Sequence, residues 1–445
     1  MEAQNSNLQS PGPDSAEARN TGNDPPDGGW DAWKTGMHGS QQSRKQNAYN
    51  AIVFCSHLVI LNTWGVVNSF GAFQTTYASM LAPVSPSAIS WIGSLQVFLL
   101  FFIGTITGWL SDIGLFRCVL ATGSMLQIVG VFTAASSTKY WQLLLAQGVC
   151  MGLGNGFIFC PSLAVLSTYF KKRKSLAIGI AMAGSSTGGL VIPSMVRQLL
   201  PQVGYPWTMR AIGFVQLGTL LIVNFLMRPR ILPSQRSKLI DPSAFGDLGY
   251  SLYAVSFFLN FLGVYFAFYY VASFARTQVN PSFSYDESLN LLLILNGVGL
   301  LGRVLPNFFA DEVTGSINML LPMSIISSIL CFCWIAISST AGLYTWTVFY
   351  AISAAGVQSM SPAGLSILTD DLSKVGVRMG MVFTIVSFAV LCGPPIEGLI
   401  INQQDGSYWG AQIFAGSSLM LGSILLAITR TVKLRAMGKT LWSKV

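Results

Sequence analysis

Between Ala48 and Arg430 the chain is a succession of apolar runs, each long enough to cross a bilayer and nearly empty of charge. Nothing else constrains the fold as strongly, because a backbone in hydrocarbon must satisfy its own hydrogen bonds, and only helices and closed barrels do so. Twelve runs are read, at about 48–74, 88–111, 117–137, 141–168, 175–199, 207–227, 248–274, 288–310, 317–338, 342–368, 377–401 and 408–430. They are continuous rather than alternating with period two, which argues against a β-barrel. Charged residues make up 9% of the chain, where a soluble domain carries about a quarter. The expectation is an all-α membrane protein of twelve transmembrane helices.

Lysine and arginine placement orients these helices. With the N-terminus cytoplasmic, 20 of the 25 basic residues fall on the cytoplasmic side, and only Lys139, Arg197, Arg210 and Arg276 fall outside. Arg303 lies inside a span. The longest polar gap, 228–247, divides the chain into six-helix bundles at 48–227 and 248–430, with tails at 1–47 and 431–445. A 6+6 plan is that of a secondary transporter with a mid-membrane site between its halves. The first 47 residues are rich in Pro, Gly, Asn, Ser and Asp and are expected to be disordered. The net charge of +8 is accounted for by this loop placement rather than by nucleic-acid binding. All seven cysteines lie in or beside apolar runs, as packing residues do. With His38 and His57 the only histidines, no metal site or cofactor is expected.

Two turns repeat a pattern. GWLSDIGLFR (108–117) follows the second run, with Asp112, Gly114 and Arg117; GRVLPNFFADEVTGSIN (302–318) follows the eighth, with Asp311 and Gly315. An acid at the end of an apolar helix, followed by a tight turn, suits contacts that hold one side closed. In TYFKKRKSLAIGIAMAGSSTGGLVIP (168–193), the basic run anchors the cytoplasmic surface. Gly179–Ala183 and Gly184–Gly188 are small-residue pairs that let helices approach closely.

PPDGGWDAW (25–33), NTWGVVNSFGAFQTTY (62–77), STYFKKRKSLAIGIAMAGSS (167–186), LPQVGYPWTMRAIGF (200–214), NGVGLLGRVLPNFFAD (296–311) and VRMGMVFTIVSFAVLCGPPI (377–396) closely resemble the fungal branch of the monocarboxylate-transporter-like proteins of the major facilitator superfamily. The resemblance spans 25–430. It implies a major facilitator fold, cytoplasmic termini, alternating access and a default plasma-membrane location. Its members move monocarboxylates, riboflavin or other small organic acids, and some fungal relatives export products of biosynthetic clusters. In the family the tryptophan turn leads almost directly into the first span; here KTGMHGSQQSRKQNAYN (34–50) intervenes. It is either a loop that folds the turn back onto the membrane surface or a misplaced gene boundary.

A charge deep in a span is expensive and marks function. Asn296, Gly299 and Arg303 share one helix face by their spacing, which is expected to line the cavity with Arg303 recognising or gating the substrate anion. The animal lactate carriers that this chain resembles place an arginine here, with an aspartate four residues earlier and a lysine in the first span. Arg303 matches; position 299 is Gly, and Asn68 stands where the lysine would be. Asn62, Asn68, Gln96, Asn155 and Asn296, with Trp64, Phe73 and Phe157, are expected to complete a polar, weakly charged lining suited to a mid-sized amphipathic organic acid. His57 and Glu397 are the proton-coupling candidates. Glu397, roughly 15 Å from Arg303 by helix rise, is expected at the outer mouth.

The leading reading is a transporter of a small organic anion or secondary metabolite, with proton coupling open. A non-transporting sensor of the same fold is the alternative. An enzyme would need paired histidines or carboxylates at the membrane surface, and none is present.

Overall fold

The computed structural model describes residues 41–81, 84, 86–230, 238–369, 371–438, 440 and 443. The DGGW turn lies outside the described residues. Every long element among them is a helix. Nine continuous helical stretches are long and apolar enough to cross a membrane. Two of these, Ala88–Ala135 and Lys174–Leu226, each hold two passes, parted where Gly114 and Gly204 leave helical geometry. Thr340–Ile367 is a further helix of 28 residues. The described residues therefore carry twelve helical segments, called here the first to twelfth spans.

The first helix begins at Gln41, so the backbone of 41–47 is helical where a disordered tail was expected. The first span also runs beyond residue 74, through a second piece, Phe70–Met80. The seventh is likewise in two pieces, Leu248–Val264 and Phe266–Thr277. Their breaks, at Ser69 and Tyr265, are equivalent in the two halves. Apolar runs mark how much of a helix is greasy, not where its backbone hydrogen bonding stops, which accounts for both differences.

The first six spans pack on one another, as do the last six, and the halves meet along two seams: the second span with the eleventh, and the fifth with the eighth. The turns after the second and eighth spans use Gly114 at φ 98° and Gly315 at φ 89°, a region that side-chain-bearing residues avoid. Each turn thereby aims the acid before it, Asp112 or Asp311, across a seam.

Candidate functional site

A cavity of about 640 Å³ opens on the side opposite the termini. Its walls are largely aromatic: Trp64 and Phe70 from the first span, and Tyr265, Phe268, Tyr269 and Tyr270 from the seventh. The breaks at Ser69 and Tyr265 place these rings, since an interrupted helix turns its side chains toward the space between the halves. Arg276, near the end of the seventh span, is the one charged residue among the described lining. Asn68 and Asn296 also line the cavity, and the Asn68 amide donates to the Asn296 oxygen at 3.2 Å, joining the halves.

The floor is a stack. Trp64 and Tyr265 lie face to face with ring centres 5.9 Å apart and 3° between planes. Beneath them Phe101 packs on Phe159, Phe261 and Phe383. Arg303 lies beneath the floor, 1% exposed. Its guanidinium donates to Ser186 Oγ at 2.9 Å, in the fifth span, and to Gln358 Oε1 at 2.8 Å, in the tenth. Its Nε has no hydrogen bond among the described residues. The guanidinium folds back over Gly299, where a Cβ would stand 2.8 Å from one of its nitrogens. Glycine at 299 is thus what lets the arginine lie along its own helix.

On the termini side two carboxylates close the structure. Asp112 accepts from the backbone of Gly376 at 3.2 Å and Val377 at 2.8 Å, capping the eleventh span. Asp311 accepts from Ser175 at 3.1 Å and Leu176 at 2.7 Å, capping the fifth. Each satisfies amides that a helix start leaves open and meets the positive end of its dipole. Arg173 pairs with Glu312 at 3.3 Å beside the second cap. Asp241, in the linker, pairs with Arg378 at 3.1 Å and Lys374 at 3.5 Å at the start of the eleventh span. Partial burial pushes the Asp241 carboxyl up, but the Ser243 hydroxyl and the two cations outweigh it and hold it below the usual carboxylate range.

An aromatic cavity on one side and helix caps on the other describe a vestibule closed at one end. Comparison with known proteins agrees: residues 52–394 match the Major Facilitator Superfamily. The chain belongs to this family. An MFS-type transporter of Gibberella zeae is 48% identical over 91% of this chain and 88% of its own length. The aspyridones efflux protein apdF of Emericella nidulans is 32% identical over 93% of this chain and 80% of its own. Among solved structures, the MFS transporter FucP in its outward conformation superposes with a TM-score of 0.67 at 14% identity, covering 86% of this chain and 99% of that one; at that identity the likeness is one of fold. The protein is a multi-pass membrane transporter and not an enzyme.

In this transporter the expected site residues divide. Asn68 and Asn296 meet in the cavity. Arg303 does not line it but ties three spans beneath it. Asn62 faces the sixth span, donating to Thr219 at 2.9 Å and to the Leu58 carbonyl. Gln96 is buried against the fourth span, where Gln147 donates to it at 3.4 Å. Asn155 is buried, with both side-chain polar atoms lacking a hydrogen bond among the described residues, and is not in the cavity wall. These three replace a lining with helix-to-helix packing, because three to four of every seven positions on a bundle helix face its neighbours. Phe73 stacks on Tyr77 inside the first half, and Phe157 packs against the third span at Gly123. His57 Nδ1 lies 2.8 Å from the Ile180 carbonyl, a contact between the first and fifth spans. Arg117 is exposed and has no ion pair among the described residues, so it takes no part in closing the turn.

Glu397 is a correction. It is fully buried rather than at the outer mouth, near Tyr269, Tyr270 and Tyr350, and neither carboxyl oxygen has a hydrogen bond among the described residues. The eleventh span continues to Gln403 and the seventh to Thr277, and the tyrosines of the seventh and tenth spans lie close to Glu397, so helix packing rather than depth along the helix decides its burial. The sequence reading missed Tyr265, Tyr269, Arg276, Ser186 and Gln358. The aromatic density of FAFYYVASFAR (266–276) was the available signal.

Proposed function

We propose that the transporter moves an amphipathic organic acid, a monocarboxylate-like compound or an acidic secondary metabolite, by alternating access. The carrying observation is the cavity itself: aromatic walls, an amide pair at the seam and one arginine at the mouth. Aromatic faces take up an apolar body, the amides orient a polar group, and the arginine draws in a carboxylate. The similarity to the aspyridones efflux protein favours export of such a metabolite.

In this reading the halves at 48–227 and 248–430 rock about the linker 228–247. The Asp112 and Asp311 caps and the Arg303 tie break as the cavity opens to the termini side, which is cytoplasmic in a plasma-membrane setting. A proton is the coupling ion. Of the two candidates, Glu397 suits it better than His57, whose Nδ1 is engaged with a backbone carbonyl. Adding or removing a proton at a buried, unbonded carboxyl changes the charge enclosed in the second half by one unit, and such a change biases one conformation over the other.

The test is flux of labelled aromatic and aliphatic acids in vesicles under an imposed pH gradient of either polarity. Gradient-dependent flux of the aromatic acids is expected, with the gradient dependence lost in Glu397→Gln. No flux of any acid under either polarity would favour a sensor and sink the proposal.

A further inference from the structure

We propose that the crevice between the fifth and eighth spans is a second binding site, a lateral portal that takes an amphipathic carboxylate from the adjoining leaflet and holds its headgroup at Arg197. The inference rests on the transport function proposed above. The crevice encloses about 700 Å³ and shares Asn68, Asn296, Leu289 and Leu292 with the central cavity. Those four side chains form the partition between them, and the Asn68–Asn296 hydrogen bond closes it across the halves.

The same two helices are sealed lower down. Asp311 caps the fifth span, Arg303 bonds Ser186, and a Cβ at Gly179 would stand 2.5 Å from the Arg303 carbonyl. Beyond Gly189 the helices part. Pro193, Val196 and Leu200 face Leu289, Leu292 and Leu293 across the gap, an apolar channel. At its outer rim Arg197 is exposed and has no ion pair or hydrogen bond among the described residues, and no acid is among the lining residues. Eight residues separate Arg197 from Gly189, about 12 Å of helix. That length suits an apolar body trailing inward from a carboxylate held at the rim. Arginine is the side chain that binds a carboxylate with two parallel N–H donors.

The partition is light. Its one polar tie across the halves is a neutral hydrogen bond, worth about 1 kcal/mol net, and among the described residues the Asn296 amide is otherwise held only by its own helix, at the Leu292 carbonyl. Gly189 provides the room for it, since a Cβ there would stand 2.6 Å from the Asn296 oxygen. Swinging the Asn296 amide aside would join crevice and cavity, so that a ligand dissolved in the leaflet reaches the aromatic walls without crossing the mouth.

The experiment uses the full chain in phosphatidylcholine liposomes with a diazirine-bearing twelve-carbon fatty acid, its methyl ester and a four-carbon diazirine acid. The twelve-carbon acid is expected to crosslink to peptides holding 189–201 and 289–293. It should label about tenfold more strongly than the ester, the worth of one charge-assisted hydrogen bond, and fall to the ester's level in Arg197→Gln. Equal labelling by acid and ester, or labelling indifferent to Arg197→Gln, would overturn the site. The four-carbon acid, which stays in water, should leave the crevice unlabelled; equal labelling by both acids would overturn delivery from the leaflet. Leu293→Trp, which fills the crevice without touching the cavity wall, should abolish the label and slow flux of the twelve-carbon acid about tenfold; unchanged flux would overturn the portal. Flux without Arg197-dependent labelling removes this site and leaves the transport function. Arg197-dependent labelling without flux of any acid removes the transport function and with it the portal, leaving a binding site.

Discussion

The two seams between the halves are built from opposite materials. Along the second and eleventh spans the contact is backbone on backbone: a Cβ at Gly108 would drive into the Gly376 carbonyl, and one at Gly380 into the Gly104 carbonyl. Thr105 and Thr384 share a hydrogen bond at 2.8 Å above that. Phe98, Phe102 and Phe388 then fill the space with rings 4.8 to 5.9 Å apart. Along the eighth span the ties are mostly polar and spaced out, at Asp311 and Arg303 to the fifth span and at Asn296 to Asn68 of the first, with one close backbone approach at Gly179, and the outer part is a crevice. Dispersion over a close backbone contact is lost all at once when helices separate, while single hydrogen bonds break one at a time. The first seam is a zipper that opens as a unit; the second is a series of latches beside a door.

The largest effect is expected at the strongest latch. Arg303→Ala removes two hydrogen bonds made by a buried charge and should lower organic-acid flux about a hundredfold, at 1.5–3 kcal/mol for each such bond. Surface labelling should show unchanged amounts in the membrane. Flux near wild type would mean that the fifth–eighth seam works without its charge. Next, Gly108→Val wedges the zipper. Overpacking of this kind costs about 1–3 kcal/mol, so transport should drop about five- to a hundredfold. Cys160, buried with its sulfur 4.0 Å from the Gly376 carbonyl, should then become reactive to maleimide, read by peptide mass. A protected Cys160 would show that the seam still closes.

The two caps provide the sharper comparison. Asp112→Ala and Asp311→Ala each remove a helix cap worth about 1 kcal/mol, which is about fivefold in the population of the closed state. Distance measurements by paired spin labels on the termini side should widen to a similar degree in both. A shift confined to one variant would show that one seam governs closure. The smallest effect belongs to the strap on the zipper. Asp241 is held below the usual carboxylate range by its cations and Ser243, so its stabilisation is complete above the unfolded value of about 3.9 and is lost as pH falls through the lower, folded value. At these partly exposed positions the pair is worth under about 1 kcal/mol. The gap in Tm between wild type and Asp241→Asn should be small at neutral pH and close on acidification; a gap that widens would refute the pairing.

How much was legible follows from where each property resides. Helix number and the membrane class are summed over twenty residues at a time, so GWLSDIGLFR and GRVLPNFFADEVTGSIN announce turns whatever surrounds them. The sequence also singled out Asp112 and Asp311, which the structure shows capping helices of the other half, because an acid before a glycine turn is local chemistry. It did not name their acceptors: the amides of Gly376 and Ser175 lie more than a hundred residues away and meet the acids only once the halves assemble.

Polar residues inside spans were harder still. Asn62, Asn68, Gln96, Asn155 and Asn296 look alike in a greasy run, yet only Asn68 and Asn296 face the cavity. Facing is decided by helix rotation, and rotation by packing against neighbours. Glu397 shows the same limit, since its burial depends on how the seventh, tenth and eleventh spans pack together. The chain by itself determined a twelve-span transporter with acidic turns at one end, because hydropathy and turn chemistry act over short stretches. Tertiary structure alone decided which polar groups share a space, that Arg303 ties the floor instead of lining the cavity, and that one seam is zipped while the other parts in its outer half. Those are contacts between distant helices, and no short stretch of sequence contains them.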